Sequence, residues 1–324
     1  MDPLTDIFRI MQVRATVQCR IEATAPWGLT HSSALSSAHR ARLDARGISL
    51  PETASLGMIL YGNCWLTVDG IPDVVELTAG DCFLIAPGKY YTLRDDPGSY
   101  AVNFCDAALP DDNHVLRHGG GGAPTTIIAG LIHFGAASLR FVTQLLPELV
   151  LIRSEQASDA GLDAIFQLLA TEMTKQSPAS ELVSTRLAEV LFIQALRAQT
   201  SNSLHTSNPG WLRAIFDPKI GAALHGFHAA VDRPWTVKSL ASAAGMSRSA
   251  FALRFKQLLG QSPLEYVTEW RMQKAIQLLG DANRKLADIA QQIGYDSDAA
   301  FNKAFKRVVG NTPREYVRQA VLHT

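Results

Sequence analysis

One short theme occurs twice between Leu240 and Val317, and this repeat limits what the chain can fold into more than any other feature. The first copy runs Leu240-Ala-Ser-Ala-Ala-Gly245-Met-Ser-Arg-Ser-Ala-Phe251-Ala-Leu-Arg-Phe255-Lys256, then Gly260, Pro263, Glu265, Tyr266 and Val267. The second runs Ile289-Ala-Gln-Gln-Ile-Gly294-Tyr-Asp-Ser-Asp-Ala-Ala-Phe301-Asn-Lys-Ala-Phe305-Lys306, then Gly310, Pro313, Glu315, Tyr316 and Val317. The register slips by one residue between the glycine and the first Phe, so the second copy carries one extra residue in its turn.

Each copy reads as a helix, a sharp turn and a second helix. Leu240, Ala243 and Ala244, like Ile289 and Ile293, are apolar at helical spacing. Gly245 and Gly294 stop the first helix, because a left-handed backbone costs little without a Cβ. Ser247 or Ser249 in one copy, and Asp296 or Ser297 in the other, are placed to cap the next helix. Within each second helix two phenylalanines four apart define the inward face. At about 100° per residue, Ser249, Ala252, Leu253 and Lys256 then point outward, and so do Ala299, Asn302, Lys303 and Lys306. A helix-turn-helix presents its second helix to the DNA major groove, so these outward side chains are the candidate readers. Arg248 and Arg307 flank them and add two more cations.

On these residues the chain resembles the AraC/XylS family of bacterial transcription regulators, over about residues 218–320. The run from Gly294 to Lys306 is the most specific part of the match. The resemblance implies two helix-turn-helix units bridged by a long helix, here Trp270 to Leu279, that meet successive major grooves on one face of double-stranded operator DNA. It also implies RNA polymerase as a partner. The first reading helix departs from a polar reader: Ser249, Ala252 and Leu253 suit thymine methyls better than hydrogen-bonded base edges.

Charge is distributed to match. Residues 218–324 hold 15 Lys+Arg against 8 Asp+Glu, and the rest holds 15 against 22, so a neutral chain divides into a basic part and an acidic one. Its 324 residues suffice for two domains. No run is long and apolar enough for a transmembrane helix and the N-terminus lacks signal-peptide order, which predicts a cytoplasmic protein with no membrane partner.

Ahead of the repeat, residues 2–12 read as a short amphipathic helix with the stripe Leu4, Ile7, Phe8 and Met11. From Val13 to about Phe134 the pattern is strands and turns. Strands are expected at Ala15–Ile21, Gly57–Val68, Val74–Leu77, Asp81–Ile85 and Tyr100–Phe104, with Asp69-Gly70, Ala79-Gly80, Pro87-Gly88 and Asp96-Pro97-Gly98 between them. Short strands at regular turns predict a small β-barrel or jelly roll. Gly119 to Gly122 read as a flexible connection in a polar loop, without the strand-Gly-Lys-helix context of a phosphate cradle. The fold class expected for the whole chain is therefore α+β.

The run Gly80-Asp81-Cys-Phe-Leu-Ile-Ala-Pro87-Gly88-Lys-Tyr-Tyr91 resembles a cupin motif. With Asp2-Pro-Leu-Thr-Asp6 and Ala25-Pro-Trp-Gly28 it resembles the cupin-type sensor domain of one AraC subgroup. Tyr90 or Tyr91 stands where a metal-binding cupin has histidine, and His31, His39, His114, His118 and His133 are scattered, so no metal or other cofactor is expected. Within that subgroup, regulators that sense reactive chlorine carry redox-active cysteines at the positions matching Cys19 and Cys105. The resemblance thus implies oxidant sensing there, against structural thiols around a small-molecule pocket. Residues 138–200 return to helical spacing, with one stripe from Leu162 to Met173 and another from Leu182 to Leu196, separated by Pro178. Such a pair packs on the barrel, and its leftover apolar face could form a homodimer.

These readings combine into a sensor domain over residues 1–200, a linker over 201–216 and a DNA-binding domain over 217–324. The expected function is a transcription regulator responding to a small-molecule or oxidant effector, with no catalytic residues. The competing expectation is a cupin-type enzyme with an accessory helical domain.

Overall fold

The computed structural model describes residues 13–31, 53–107, 110–111, 114–134, 146–155, 162–175, 177–202, 211–280 and 284–322. The helix expected over residues 2–12, and His39, lie outside them. One compact unit holds Val13–Phe134 with Pro147–Asn202, and a second contains residues 211–322.

The first unit is two facing sheets. Strands β1 (Arg14–Thr24), β3 (Thr53–Tyr61), β6 (Cys82–Ile85), β9 (Val115–Gly119), β10 (Pro124–His133) and β11 (Leu149–Ile152) form one, in the order β11-β6-β3-β10-β1-β9. Strands β2 (Gly28–His31), β4 (Asn63–Val68), β5 (Val75–Thr78), β7 (Tyr91–Arg94) and β8 (Val102–Asn103) form the other, in the order β5-β4-β7-β2-β8. No ladder joins the two sheets among the described residues, so the expected barrel is an open jelly-roll-like sandwich and not a closed one. One corner is Gly62, at φ +76, where the single expected strand Gly57–Val68 breaks and the chain passes from one sheet to the other.

The sandwich core is drawn from both inner faces: Cys19, Ile21, Trp27, Leu29, Ile59, Cys64, Leu66, Phe83, Ile85, Leu93 and Ile127 are all buried. Strands β3 and β6 are buried on almost every residue, in a sheet whose strands β1 and β11 carry a helix. Helix α1 (Phe104–Ala107) is one short turn. Helices α2 (Leu162–Lys175) and α3 (Ser180–Asn202) pair with each other, and α3 lies on β1 and β11. The expected helix pair therefore forms, and its second helix packs on the strands. Within α3, Ala188, Leu191, Phe192, Ala195 and Leu196 are buried, while Leu182 and Val190 from the expected stripe face outward with Val183.

The glycines from Gly119 to Gly122 are not a loose connection. Gly120 N–H donates to Thr24 O at 2.8 Å, Gly121 N–H to Thr24 Oγ1 at 2.9 Å and Gly122 N–H to Ala25 O at 2.8 Å. A side chain at Gly120 or Gly122 would run into Pro26 or Ala25, so the residues are small because the turn lies directly on β1's end. Asp81, from the cupin-like run, is a buried peg. It accepts from Thr78 N–H at 2.9 Å, Thr78 Oγ1 at 3.2 Å, Arg153 Nη1 at 2.9 Å and Ser154 N–H at 2.9 Å, which leaves its carboxylate engaged within the fold.

The second unit is helical: α4 (Trp211–Phe216), α5 (Ile220–Ala229), α6 (Val237–Ala243), α7 (Arg248–Leu259), α8 (Pro263–Leu279), α9 (Leu286–Gln292), α10 (Asp298–Val309) and α11 (Pro313–Leu322). The stretch read as the end of the linker, Trp211–Phe216, is thus helical, and it packs on α5 and α7. The bridging helix begins at Pro263, seven residues before the expected Trp270. Ser262 and Glu265 form a capping box with bonds of 3.4 and 2.9 Å, and proline fits the first helical position. That helix buries Tyr266 and Trp270 against Phe227 and His228 of α5, and Met272, Ala275, Ile276 and Leu279 against α9 and α10.

Candidate nucleic-acid interface

Each expected reading helix is built the same way. In the first copy, Thr236 and Ser239 cap α6 reciprocally, with bonds of 3.1 and 2.8 Å. Leu240 and Ala244 are buried, but Ala243, counted on the apolar face, is exposed; buried Ala241 takes its place. Gly245 turns the chain at φ +59. Of the two possible caps Ser247 holds the role, accepting from Ala250 N–H at 3.4 Å, while Ser249 falls on the exposed face. Phe251 and Phe255 are fully buried with ring centroids 5.5 Å apart, and they fix the roll of α7.

In the second copy Gly294 turns at φ +81 and Ser297, not Asp296, caps α10 by accepting from Ala300 N–H at 3.3 Å. Phe301 and Phe305 repeat the buried pair at 5.6 Å. Both helices end on a left-handed glycine, Gly260 and Gly310, whose N–H returns to the carbonyl of Lys256 or Lys306.

The outward sets fall as expected with two exceptions. Arg248, Ser249, Leu253 and Lys256 are exposed on α7, and Ala299, Lys303, Lys306 and Arg307 on α10. Ala252 and Asn302 are half-buried, since each directly follows an inward phenylalanine. Leu253 is 62% exposed among the described residues, an unusual position for leucine on a helix. Among the described residues, Arg248, Lys256, Lys303, Lys306 and Arg307 form no ion pair. Arg254 contrasts with them. Its guanidinium is tied to Asp217 through Nε at 3.0 Å and through Nη2. Asp217, in turn, accepts from Lys219 N–H at 3.0 Å and Ile220 N–H at 2.8 Å at the start of α5. These donors hold the Asp217 carboxyl below its ordinary range despite burial that opposes them. Arg254 therefore anchors α7 to α5 and is not a free cation.

The cupin-like unit places its predicted residues differently. Cys19 lies in the sandwich core, and burial pushes its thiol up to about 12; Cys64 and Cys82 are buried and raised alike. Cys105 is in α1 and not at a strand end; its side chain is outside the described ones. Tyr91 packs against the core and stacks on His31, with ring centroids 5.1 Å apart. Burial lowers His31 to about 4, and among the described residues neither of its ring nitrogens has a hydrogen-bond partner; the same is true of Trp27 Nε1. Trp27 belongs to the Ala25-Pro-Trp-Gly28 run and His31 to the scattered histidines, and only the folded sandwich leaves their polar atoms unpaired. No group of three or more potential metal ligands exists among the described residues.

Comparison with known proteins decides what these parts belong to. The Cupin family matches residues 2–201, and the Helix-turn-helix domain family matches residues 240–319. A Streptomyces lividans protein described as an AraC-like transcription regulator is 32% identical over 94% of this chain and 94% of its own length. The chain belongs to the AraC-like transcription regulators. RclR of Escherichia coli, an RCS-specific HTH-type transcriptional activator, is 30% identical over 70% of this chain and 78% of its own. The DNA-binding domain of AdpA, solved in complex with a target DNA, is 28% identical over 32% of this chain and 92% of that chain, with a TM-score of 0.30. This AraC-like regulator thus couples a helix-turn-helix DNA-binding part to a cupin part, and the enzyme alternative is not favoured. Among the described residues, no helix is long and apolar enough to cross a membrane.

Proposed function

We propose that α7 and α10 enter successive major grooves of double-stranded operator DNA. Lys256, Lys303, Lys306 and Arg307 neutralise phosphates, Asn302 and Lys303 reach base edges, and Arg248 serves either role. Ser249, Ala252 and Leu253 form an apolar reading surface suited to thymine methyls. The observation that carries this reading is the pair of equivalent helix faces, each capped, each rolled by a buried Phe pair, and each bearing unpaired cations. Lys303→Ala is expected to weaken binding of a selected duplex about tenfold and to relax preference at one half-site. Electrophoretic mobility shifts, with re-selection from random duplexes, read both. Unchanged affinity and preference would remove Lys303 from the interface.

The sensing part, in this reading, is residues 1–200, joined through 201–216 to the DNA-binding residues 217–324. Effector binding shifts the regulator between states that differ in DNA affinity or in recruitment of RNA polymerase. A small polar molecule is favoured over an oxidant acting on Cys19, because a buried neutral thiol is a poor nucleophile. His31 and Trp27, moreover, hold buried polar atoms whose missing hydrogen bonds a polar ligand would supply. The similarity to RclR favours the oxidant as a second reading. Hypochlorite treatment of wild type, Cys19→Ser and Cys105→Ser separates the two: binding indifferent to oxidant in all three supports the small molecule. The exposed Leu182, Val183 and Val190 on α3 fit a homodimer contact, and the protein acts in the cytoplasm by binding alone, without a catalytic step.

A further inference from the structure

Arg271, in the middle of α8, uses one guanidinium to hold both helix-turn-helix units. Its Nε and Nη2 donate to Val231 O at 3.1 and 2.9 Å, and Nη2 also donates to Arg233 O at 2.6 Å. Both carbonyls belong to the turn between α5 and α6, in the first half. Its Nη1 donates to Gly294 O at 3.2 Å, in the turn of the second half. The Tyr295 ring, one residue on, lies 5.7 Å from the guanidinium carbon.

The two turns also touch directly. A Cβ on Gly294 would stand 2.5 Å from Asp232 O and 2.6 Å from Arg271 Nη2. The second turn therefore reaches the first only because residue 294 lacks a side chain. Around this contact, α8 commits one end to each core, with Tyr266 and Trp270 packed on the first half and Met272 to Leu279 on the second.

We propose that Arg271 is a positioning residue. By fastening the turn before α6 to the turn before α10, it sets the separation and phase of the two reading helices, and hence the half-site spacing that the regulator accepts. A planar fork with several donors can reach three carbonyls on two turns at once, which the single ammonium of lysine cannot. This inference rests on the reading that α7 and α10 each take one half-site. Two reading helices on a jointed support would follow half-sites moved along the duplex; two on a clamped support are penalised when base pairs are inserted.

The test uses the full-length protein and a duplex selected from random sequence by the wild type, with zero, one or two base pairs inserted between the half-sites. Wild type is expected to lose about tenfold or more in affinity on insertion. Arg271→Gln and Arg271→Lys are expected to bind the uninterrupted duplex more weakly and to lose most of the insertion penalty. A merely structural role would lower the folded fraction, seen by circular dichroism, yet leave the penalty of the folded population intact. That outcome overturns the proposal. If both variants fail to fold, Tyr295→Leu decides, since it removes the ring beneath the guanidinium but none of its hydrogen bonds. Because the bonds to Val231, Arg233 and Gly294 remain, that variant is expected to keep the wild-type insertion penalty, and loss of the penalty there overturns the proposal. Wild type indifferent to insertion would instead refute the two-half-site reading on which the clamp depends.

Discussion

Gly245 and Gly294 occupy the same place in the two copies, and the reasons for their being glycine differ. Both adopt a left-handed backbone, at φ +59 and φ +81. Around Gly245 nothing among the described residues lies within 4 Å of where a Cβ would stand, whereas at Gly294 the backbone of the first half and the Arg271 guanidinium already fill that place. The first glycine answers only a local demand of its turn; the second also answers a tertiary one. The cores differ in a related way. The first half buries His228 among Phe227, Tyr266 and Trp270, with Nε2 2.9 Å from Tyr266 Oη, while no histidine belongs to the second half's buried core cluster. A repeated sequence therefore yields two units with the same turn, cap and Phe pair and different inner constraints.

The largest expected effect separates the glycines. Gly294→Ala must pay for both left-handed backbone and a blocked approach, and should cost about 3 kcal/mol or more; Gly245→Ala pays only for backbone, about 1 kcal/mol. Urea unfolding of the two variants measures the gap, and equal costs would break the distinction.

Acid comes next. Burial, with Lys274 and His225 nearby, lowers His228 to about 3, so the folded ring is neutral where the unfolded one protonates. Below about pH 6.5 the unfolded state binds more protons and stability falls, by roughly 2 kcal/mol at pH 5. The loss continues until the pH reaches the folded value. Hydrogen exchange should register it in α5 and the Tyr266–Trp270 part of α8 before α9 and α10, and His228→Gln should flatten the dependence. Simultaneous loosening of all four helices would count against separate cores.

The smallest effect concerns the reading helix of the first half. Asp217→Ala leaves Arg254 without its partner and the start of α5 without an acceptor, which should cost roughly 1 to 2 kcal/mol. Because Arg254 is then released beside Lys256, affinity for DNA of random sequence should rise slightly, and the salt dependence of binding should steepen. Fluorescence anisotropy at two salt concentrations reads this. An unchanged slope would mean that Arg254 is out of reach of the phosphates even when free.

Local chemistry written in consecutive residues was legible before any fold was known. The Gly turns, the Ser caps, the Phe pairs and the outward faces of α7 and α10 follow from helix geometry alone, and the structure reproduces them to within a residue or two. So does the strand character of the N-terminal half, because alternation and turn residues act over a few positions. Strands β2, β7, β9, β10 and β11 were not expected, since all but β10 are short and β10 does not alternate regularly, and their identity comes from partners distant in sequence. Whether the sheets closed into a barrel was likewise a question of pairing, decided at corners such as Gly62.

What tertiary structure alone decided is where side chains with no periodic signature ended up. Cys19 became a buried neutral thiol because β1 turns it into the sandwich. His31 and Trp27 were left with unpaired polar atoms by the packing of sheets made from remote segments. Arg254 and Arg271 looked like any other cations on helices, yet one is held by Asp217, 37 residues away, and the other by carbonyls 40 and 23 residues away on opposite sides. Helical and turn propensities act between neighbours, so sequence determines them directly. Hydrogen bonds to backbone carbonyls depend on no side-chain identity at the acceptor, so the carbonyls that meet Arg271 leave no trace in the sequence and exist only once the two halves are brought together.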